Sequence, residues 1–191
     1  MARSEVVHSK TVRDLSGMIF PRLRINGMMV NYQNECRKKP HLYSSGEKIS
    51  HIANIARAEA LFSRTDILGD RVKHEGLSRL CDTLEDSKAV IEIEIHAVRQ
   101  WLLHAGDILY AMSHTPHMHN RLLSNSDIRD KIAKHEMHVS VKEERDLWQG
   151  SGGSSLERWN SWKKRLQKLL DDDDQDEETK KAVREALDAM R

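Results

Sequence analysis

Helix-breaking residues are scarce in this sequence: three prolines, Pro21, Pro40 and Pro116, and nine glycines in 191 residues. A fold of short strands needs turn residues every few positions, so their scarcity argues against a β-meander or sandwich and leaves long stretches open to helix. Two cysteines, Cys36 and Cys81, stand far apart with no C-x-x-C spacing. That argues against a metal knuckle or a vicinal redox pair and reads as two buried free thiols. An excess of one charge is missing too. Lys and Arg number 31 against 30 Asp and Glu, for a formal net charge of +1, so no overall field steers the chain to nucleic acid or an anionic membrane. No apolar run approaches membrane-spanning length, and Arg3, Glu5, Lys10 and Arg13 stand where a signal peptide needs an unbroken apolar stretch. These features predict a cytoplasmic protein with neither membrane nor nucleic acid among its partners.

What is present is polar but globular. Apolar residues make up 38% of the chain and charged residues 32%, with a mean hydropathy of -0.67. This length suits one domain able to bury a core without disulfides or metal. Ile49, Ile52, Ala53, Ala56 and Ala60 recur at helical spacing after Ser44 and Glu47, which stand at capping-box separation. A second stripe, Leu77, Leu80, Cys81 and Leu84, closes near Asp86 and Ser87 and should pack against the first. Residues 90–95 alternate like a strand, yet Ala97, Val98, Trp101, Leu102, Ala105, Leu109 and Met112 continue from them with helical spacing. The prediction is one long central helix ended by Pro116.

Residues 114–125 read as an exposed connection, after which Ser126 is expected to cap a polar, peripheral helix through Ile128, Ile132, His135 and Val139. Residues 150–153, Gly-Ser-Gly-Gly, read as a flexible stretch. Ser154 and Glu157 then form a second capping-box pair, opening a helix through Leu156, Trp159, Lys163, Leu166 and Leu170. The acidic run at 171–178 precedes an amphipathic stripe of Ala182, Val183, Ala186, Leu187 and Met190, where negative charge suits a helix N-terminus. The fold class is therefore all-α: a single-domain bundle of about six or seven helices over residues 1–191, with 1–45 the part least defined by pattern.

Chemistry-bearing residues are thinly spread. His114, His117 and His119, with His135 and His138 from the next helix, are the candidate metal ligands, because neutral imidazoles at short spacing can converge on zinc. They lack a carboxylate or cysteine at recognisable zinc spacing and an H-E-x-x-H pattern, so no metal and no cofactor is assigned. His135 and His138, with Glu136 between them, have a spacing that permits acid-base work. Arg129 and His135 match the arginine-to-histidine spacing of small helical toxin ribonucleases, but Arg3 with His8 and Arg99 with His104 match it as well. About three such pairs arise by chance in this composition, so the spacing carries no weight. No nucleophile elbow, Walker loop or dinucleotide-binding glycine turn occurs. Trp101, Trp159 and Trp162 lie on apolar stripes and are expected to fill the core. Residues 1–60 hold ten basic against five acidic side chains and residues 171–191 four against nine, which reads as two solvated faces.

Four ordered segments carry a resemblance: residues 101–110, Leu147 to Gly150, Leu156 to Arg165, and Asp176 to Ala182 followed by Met190. Together they are similar to a family of small fungal proteins with a helical domain of unknown function, which end in an Arg-Trp-x-Phe-Trp-Lys-x-Arg helix and a short acidic-to-basic last helix. The resemblance covers about residues 95–191; Ser161 stands where the family pattern has Phe, and nothing in residues 1–90 takes part. It implies an intracellular, all-helical protein of a kind sometimes encoded among secondary-metabolite genes, and carries over no catalytic residue. The leading expectation is thus a non-catalytic interaction or accessory protein with a protein partner. The alternative is a small divergent helical enzyme with a His-based or metal site.

Overall fold

The computed structural model describes residues 45–65, 70–115, 122–134, 136 and 145–190. They form six helices with no strand among the described residues: α1 (Ser45–Phe62), α2 (Asp70–Leu84), α3 (Ile91–His114), α4 (Asn125–Ala133), α5 (Leu156–Leu170) and α6 (Glu177–Ala189). The expected all-α bundle is what the chain adopts.

The alternating segment 90–95 resolves as the first turn and a half of α3. Glu94, Ile95, His96, Ala97 and Val98 are all buried, and a helix covered all round belongs at the centre of a bundle. α1, α2, α5 and α6 pack on it. One helix can serve four neighbours because its buried set, including Ile91, Ile95, Val98, Trp101, Leu102, Ala105 and Leu109, is wider than a single stripe. Ala105 departs from helical geometry at φ -145° and ψ 18°, which kinks α3.

Contacts at both ends fix the directions of the helices. α1 runs parallel to α3: Ile49 and Ser50 share a cleft with His96, while Arg64, just past α1, donates to His104 O at 2.6 Å and pairs with Asp107 at 2.5 Å. α6 is also parallel to α3, with Glu178 beside His96 at its start and Ala189 O beside Gly106 at its end. α5 runs against both, because Trp159, in its first turn, reaches Tyr110 near the far end of α3 at a ring separation of 5.4 Å. The turn into α6 is set by Asp176, whose carboxylate accepts from Thr179 N at 2.7 Å. Those hydrogen bonds, first the one from the Thr179 backbone, hold its carboxyl below the usual range.

Sequence patterns misplaced several boundaries. The cap of α4 is Ser124, not Ser126: Ser124 and Asp127 form a reciprocal capping box, and Ser126 instead shares a hydroxyl contact of 2.8 Å with Ser124. α4 ends at Ala133 with Lys134 as its C-cap, and His135 and Val139, expected on this helix, lie outside the described residues. Leu122, Leu123, Ser124 and Asn125 are buried, not part of an exposed connection, because the carbonyls of Leu122 and Leu123 are bonded from inside the protein. α5 is capped by Ser155, whose hydroxyl accepts from Arg158 N at 3.1 Å, while Ser154 turns away to donate to Thr115 O at 3.3 Å. The pair Ser44 and Glu47 cannot be placed as a cap, since Ser44 lies outside the described residues.

Trp101 is fully buried and lies flat against α2 at Gly76. A Cβ at that position would stand 2.5 Å from Trp101 Cε3 and 2.9 Å from Leu109 Cδ2, and a rigid indole in a close-packed core has nowhere to go. Gly76→Ala is therefore expected to destabilise the protein by about 1–3 kcal/mol, although alanine is the better helix former. Urea unfolding checks this, and an unchanged or raised midpoint would contradict the close approach of α2 to Trp101.

Candidate functional site

His114, the last residue of α3, is exposed, with its ring edge-on to Tyr110 at 4.6 Å. His117, His119, His135 and His138 lie outside the described residues. Among the described residues no three His, Cys, Asp or Glu side chains come together in a group that could hold a metal.

The structure instead concentrates charge at the junction of α2, α4 and α5. Arg158 stands in the first turn of α5, where the backbone cap at Ser155 points it inwards, and is 0% exposed. Its Nε and Nη2 donate to the two oxygens of Glu85, each at 2.6 Å. Its Nη1 donates to Leu122 O at 2.7 Å and to Gly153 O at 2.8 Å. Trp162, one turn further along α5, donates its indole N–H to Glu85 Oε1 at 2.7 Å. A bidentate arginine-carboxylate pair with its remaining donors occupied is the arrangement that makes a buried charge tolerable.

A second pair lies one turn back on α2. Arg145 Nη2 donates to Asp82 at 2.7 Å, and its Nη1 donates to Leu123 O at 3.2 Å. Consecutive carbonyls of the segment entering α4 are thus held by two arginines from opposite sides. Glu85 contributes its backbone too, accepting from Leu147 N at 2.8 Å, and Asp146 accepts from Ser87 N at 2.8 Å. The 145–148 turn is thereby fastened to the end of α2. Trp148 covers Arg158 with its ring, 5.5 Å from ring centroid to Cζ, and bonds Ser151 O at 2.9 Å.

The glycine-rich segment is consequently not a flexible spacer. Gly153 N donates to Leu122 O at 2.8 Å, and a Cβ on Gly152 would collide with the Asp127 carboxylate and stand 3.0 Å from Leu122 O. Gly152 lies against the cap of α4 with no room for a side chain, and Gly153 adopts φ 87°, a backbone conformation that side chains rarely take.

This network positions helices rather than performing chemistry. The Glu85 carboxylate accepts three donors, two from Arg158 and one from the Trp162 indole, and is 1% exposed, which keeps it out of contact with solvent. Cys81 sits beside it, fully buried, its thiol pushed up to about 12 by burial first and by the Glu85 charge second. A thiol so placed stays protonated and is a poor nucleophile. Sequence pattern did not single out Glu85, Asp82 or Arg145. The signal was available: Cys81 and Glu85 are four apart on the buried stripe of α2, and a carboxylate on such a stripe needs a buried cation.

A family model with the description "Protein of unknown function (DUF3632)" matches residues 11–166. No curated protein and no solved structure matches the chain. The matched range takes in α1 to α4 and most of α5, including residues 11–90, where the four resembling segments had no counterpart; α6 falls outside it.

In a Cys36→Ser variant, the remaining Cys81 thiol is expected to resist iodoacetamide at about pH 8 and to react only as fast as the protein unfolds. Labelling followed by mass spectrometry with and without urea checks this. Native-state alkylation at the rate of a free thiol would contradict the burial of Cys81 behind the two arginine-carboxylate pairs.

Proposed function

The chain belongs to this family of unknown function, and from that premise we propose that it is a non-catalytic accessory protein of the cytoplasm that acts by holding a protein partner. Residues 1–191 form one helical domain in this reading. The four segments quoted above support a place among fungal proteins tied to secondary metabolism. Neither nucleic acid nor a membrane enters the proposal; among the described residues no helix is long and apolar enough to cross a membrane.

One observation carries the partner reading. Leu103 and Tyr110, 46% and 43% exposed, stand two turns apart on α3. Arg64 holds the end of α1 against this stretch of α3 through His104 O and Asp107, and the last two residues of α1, Leu61 and Phe62, are exposed as well. Four large apolar side chains are thus exposed on the two helices that this ion pair joins. Single exposed apolar residues are ordinary, but a group of this kind marks a contact surface more often than a bare one. The ionic network described above supports the non-catalytic part of the reading, since its groups are saturated internally.

The test is affinity purification from the native host of the tagged wild-type protein and of a Leu103→Ser/Tyr110→Ser variant whose circular dichroism matches wild type. The expected result is one protein recovered at near-equal amount with wild type and depleted about tenfold or more with the variant. No enriched protein, or equal recovery with both, would overturn the partner reading. Zinc in the untagged protein, lost together on substituting His117 and His119, would favour the metal-enzyme alternative instead.

A further inference from the structure

A cleft of about 330 Å³ opens where the first turns of α1 and α6 flank α3. Its polar groups are Ser50 and Asn54 from α1, His96 and Arg99 from α3, and Glu178 and Lys181 from α6. Ala53 and Ala182 are among its lining residues and carry too little side chain to fill it. The volume lies at the lower end of the range of small-molecule sites, roughly 300–1,000 Å³.

His96 is the informative residue. It lines the cleft yet is 4% exposed, and its Nε2 is buried with no hydrogen-bond partner. Buried imidazole nitrogens are ordinarily satisfied, and one that is not, beside a cleft, is a group waiting for something that enters it. Burial holds its pKa below the ordinary value, opposed by the charge of Glu178 and aided by Arg99. The ring is therefore neutral at pH 7 and can bond a ligand without adding charge.

The charges around the ring select the ligand. Arg99 is paired with Glu185 of α6, and Asp176 is engaged as the cap of α6 through Thr179. Glu178 and Lys181 are both exposed on the first turns of α6 and form no ion pair with each other or with any other described residue. α1 adds the neutral side chains of Ser50 and Asn54. The cleft thus offers one charge of each sign outside any ion pair, one helical turn apart on α6, together with the neutral His96 ring. A phosphate or a dicarboxylate would bring further negative charge against Glu178, with Glu185 and Asp176 also close enough to act on His96, and is disfavoured. A molecule with separated charges of opposite sign is not.

We propose that this cleft binds a small zwitterion of the amino-acid class, with its carboxylate at Lys181, its ammonium at Glu178 and a polar group on His96 Nε2. The site is remote from the apolar group at the other end of α1, so it stands or falls independently of the partner reading.

The test uses the full chain with isotope-labelled histidine, its His96 ring resonance assigned from a His96→Gln variant. The standard amino acids and orthophosphate are added singly at about pH 7, up to about 10 mM, a range that detects weak binders. The expected result is a saturable shift of the His96 signal by at least one amino acid, with Kd of about 1 mM or below. The amide of that amino acid, and the Glu178→Gln and Lys181→Met variants, should each bind about tenfold more weakly. Both substituted side chains are exposed, so these variants keep the fold. No saturable shift with any amino acid, saturation by orthophosphate to the same extent, or binding indifferent to both substitutions would overturn the proposal.

Discussion

Arg158 carries its charge into the core, and much of the arrangement around it follows from what that charge requires. A guanidinium without water needs an anion and acceptors for its remaining donors, or the fold does not tolerate it. Glu85 supplies the anion from the end of α2, and Leu122 O and Gly153 O supply the acceptors. One side chain thereby fixes α5 against α2 and against the entry to α4. Arg145 and Asp82 repeat the device beside it, on the neighbouring carbonyl. The apolar core of α1, α2, α3, α5 and α6 gives the bundle its cohesion, but apolar contact is non-directional. The ionic contacts are directional, and they fall where irregular segments must be placed.

This division explains why some features were legible in the sequence and others were not. Although Leu156, expected on the α5 stripe, is 39% exposed, Trp159 and Leu166 on α5 and the stripe Leu77, Leu80, Cys81 and Leu84 follow helical periodicity and need no knowledge of partners. The same holds for the long α3, and for the acidic start of α6, where Asp176 caps the helix. Trp101, Trp159 and Trp162 were legible as core because large rings on apolar stripes have few other places to go.

What pattern could not show depends on contacts between residues distant in sequence. Ser124 caps α4 where Ser126 was expected, and Ser155 caps α5 where Ser154 was expected. In both cases neighbouring serines offer equivalent caps, and tertiary contacts choose between them: Leu122 and Leu123 are pinned by arginines, and Ser154 reaches Thr115 O. The glycine-rich stretch reads locally as a spacer, yet it is packed because Leu122 and Asp127 lie against it. His96 carries no signal in the sequence, since only the joint placement of α1 and α6 creates the cleft beside it. The histidines that did stand out, apart from His114, lie outside the described residues.

The central claim, that the Arg158 and Glu85 pair organises the junction of α2, α4 and α5, is tested most directly by a double-mutant cycle. Glu85→Gln, Arg158→Met and the combined variant would be compared with wild type by urea unfolding. Each single change leaves the other partner buried without its full complement, and should cost about 3–5 kcal/mol. The combined variant should cost little more than either one alone, a coupling well above the roughly 0.5 kcal/mol scatter of independent sites. Losses that simply add, or single variants as stable as wild type, would contradict the account.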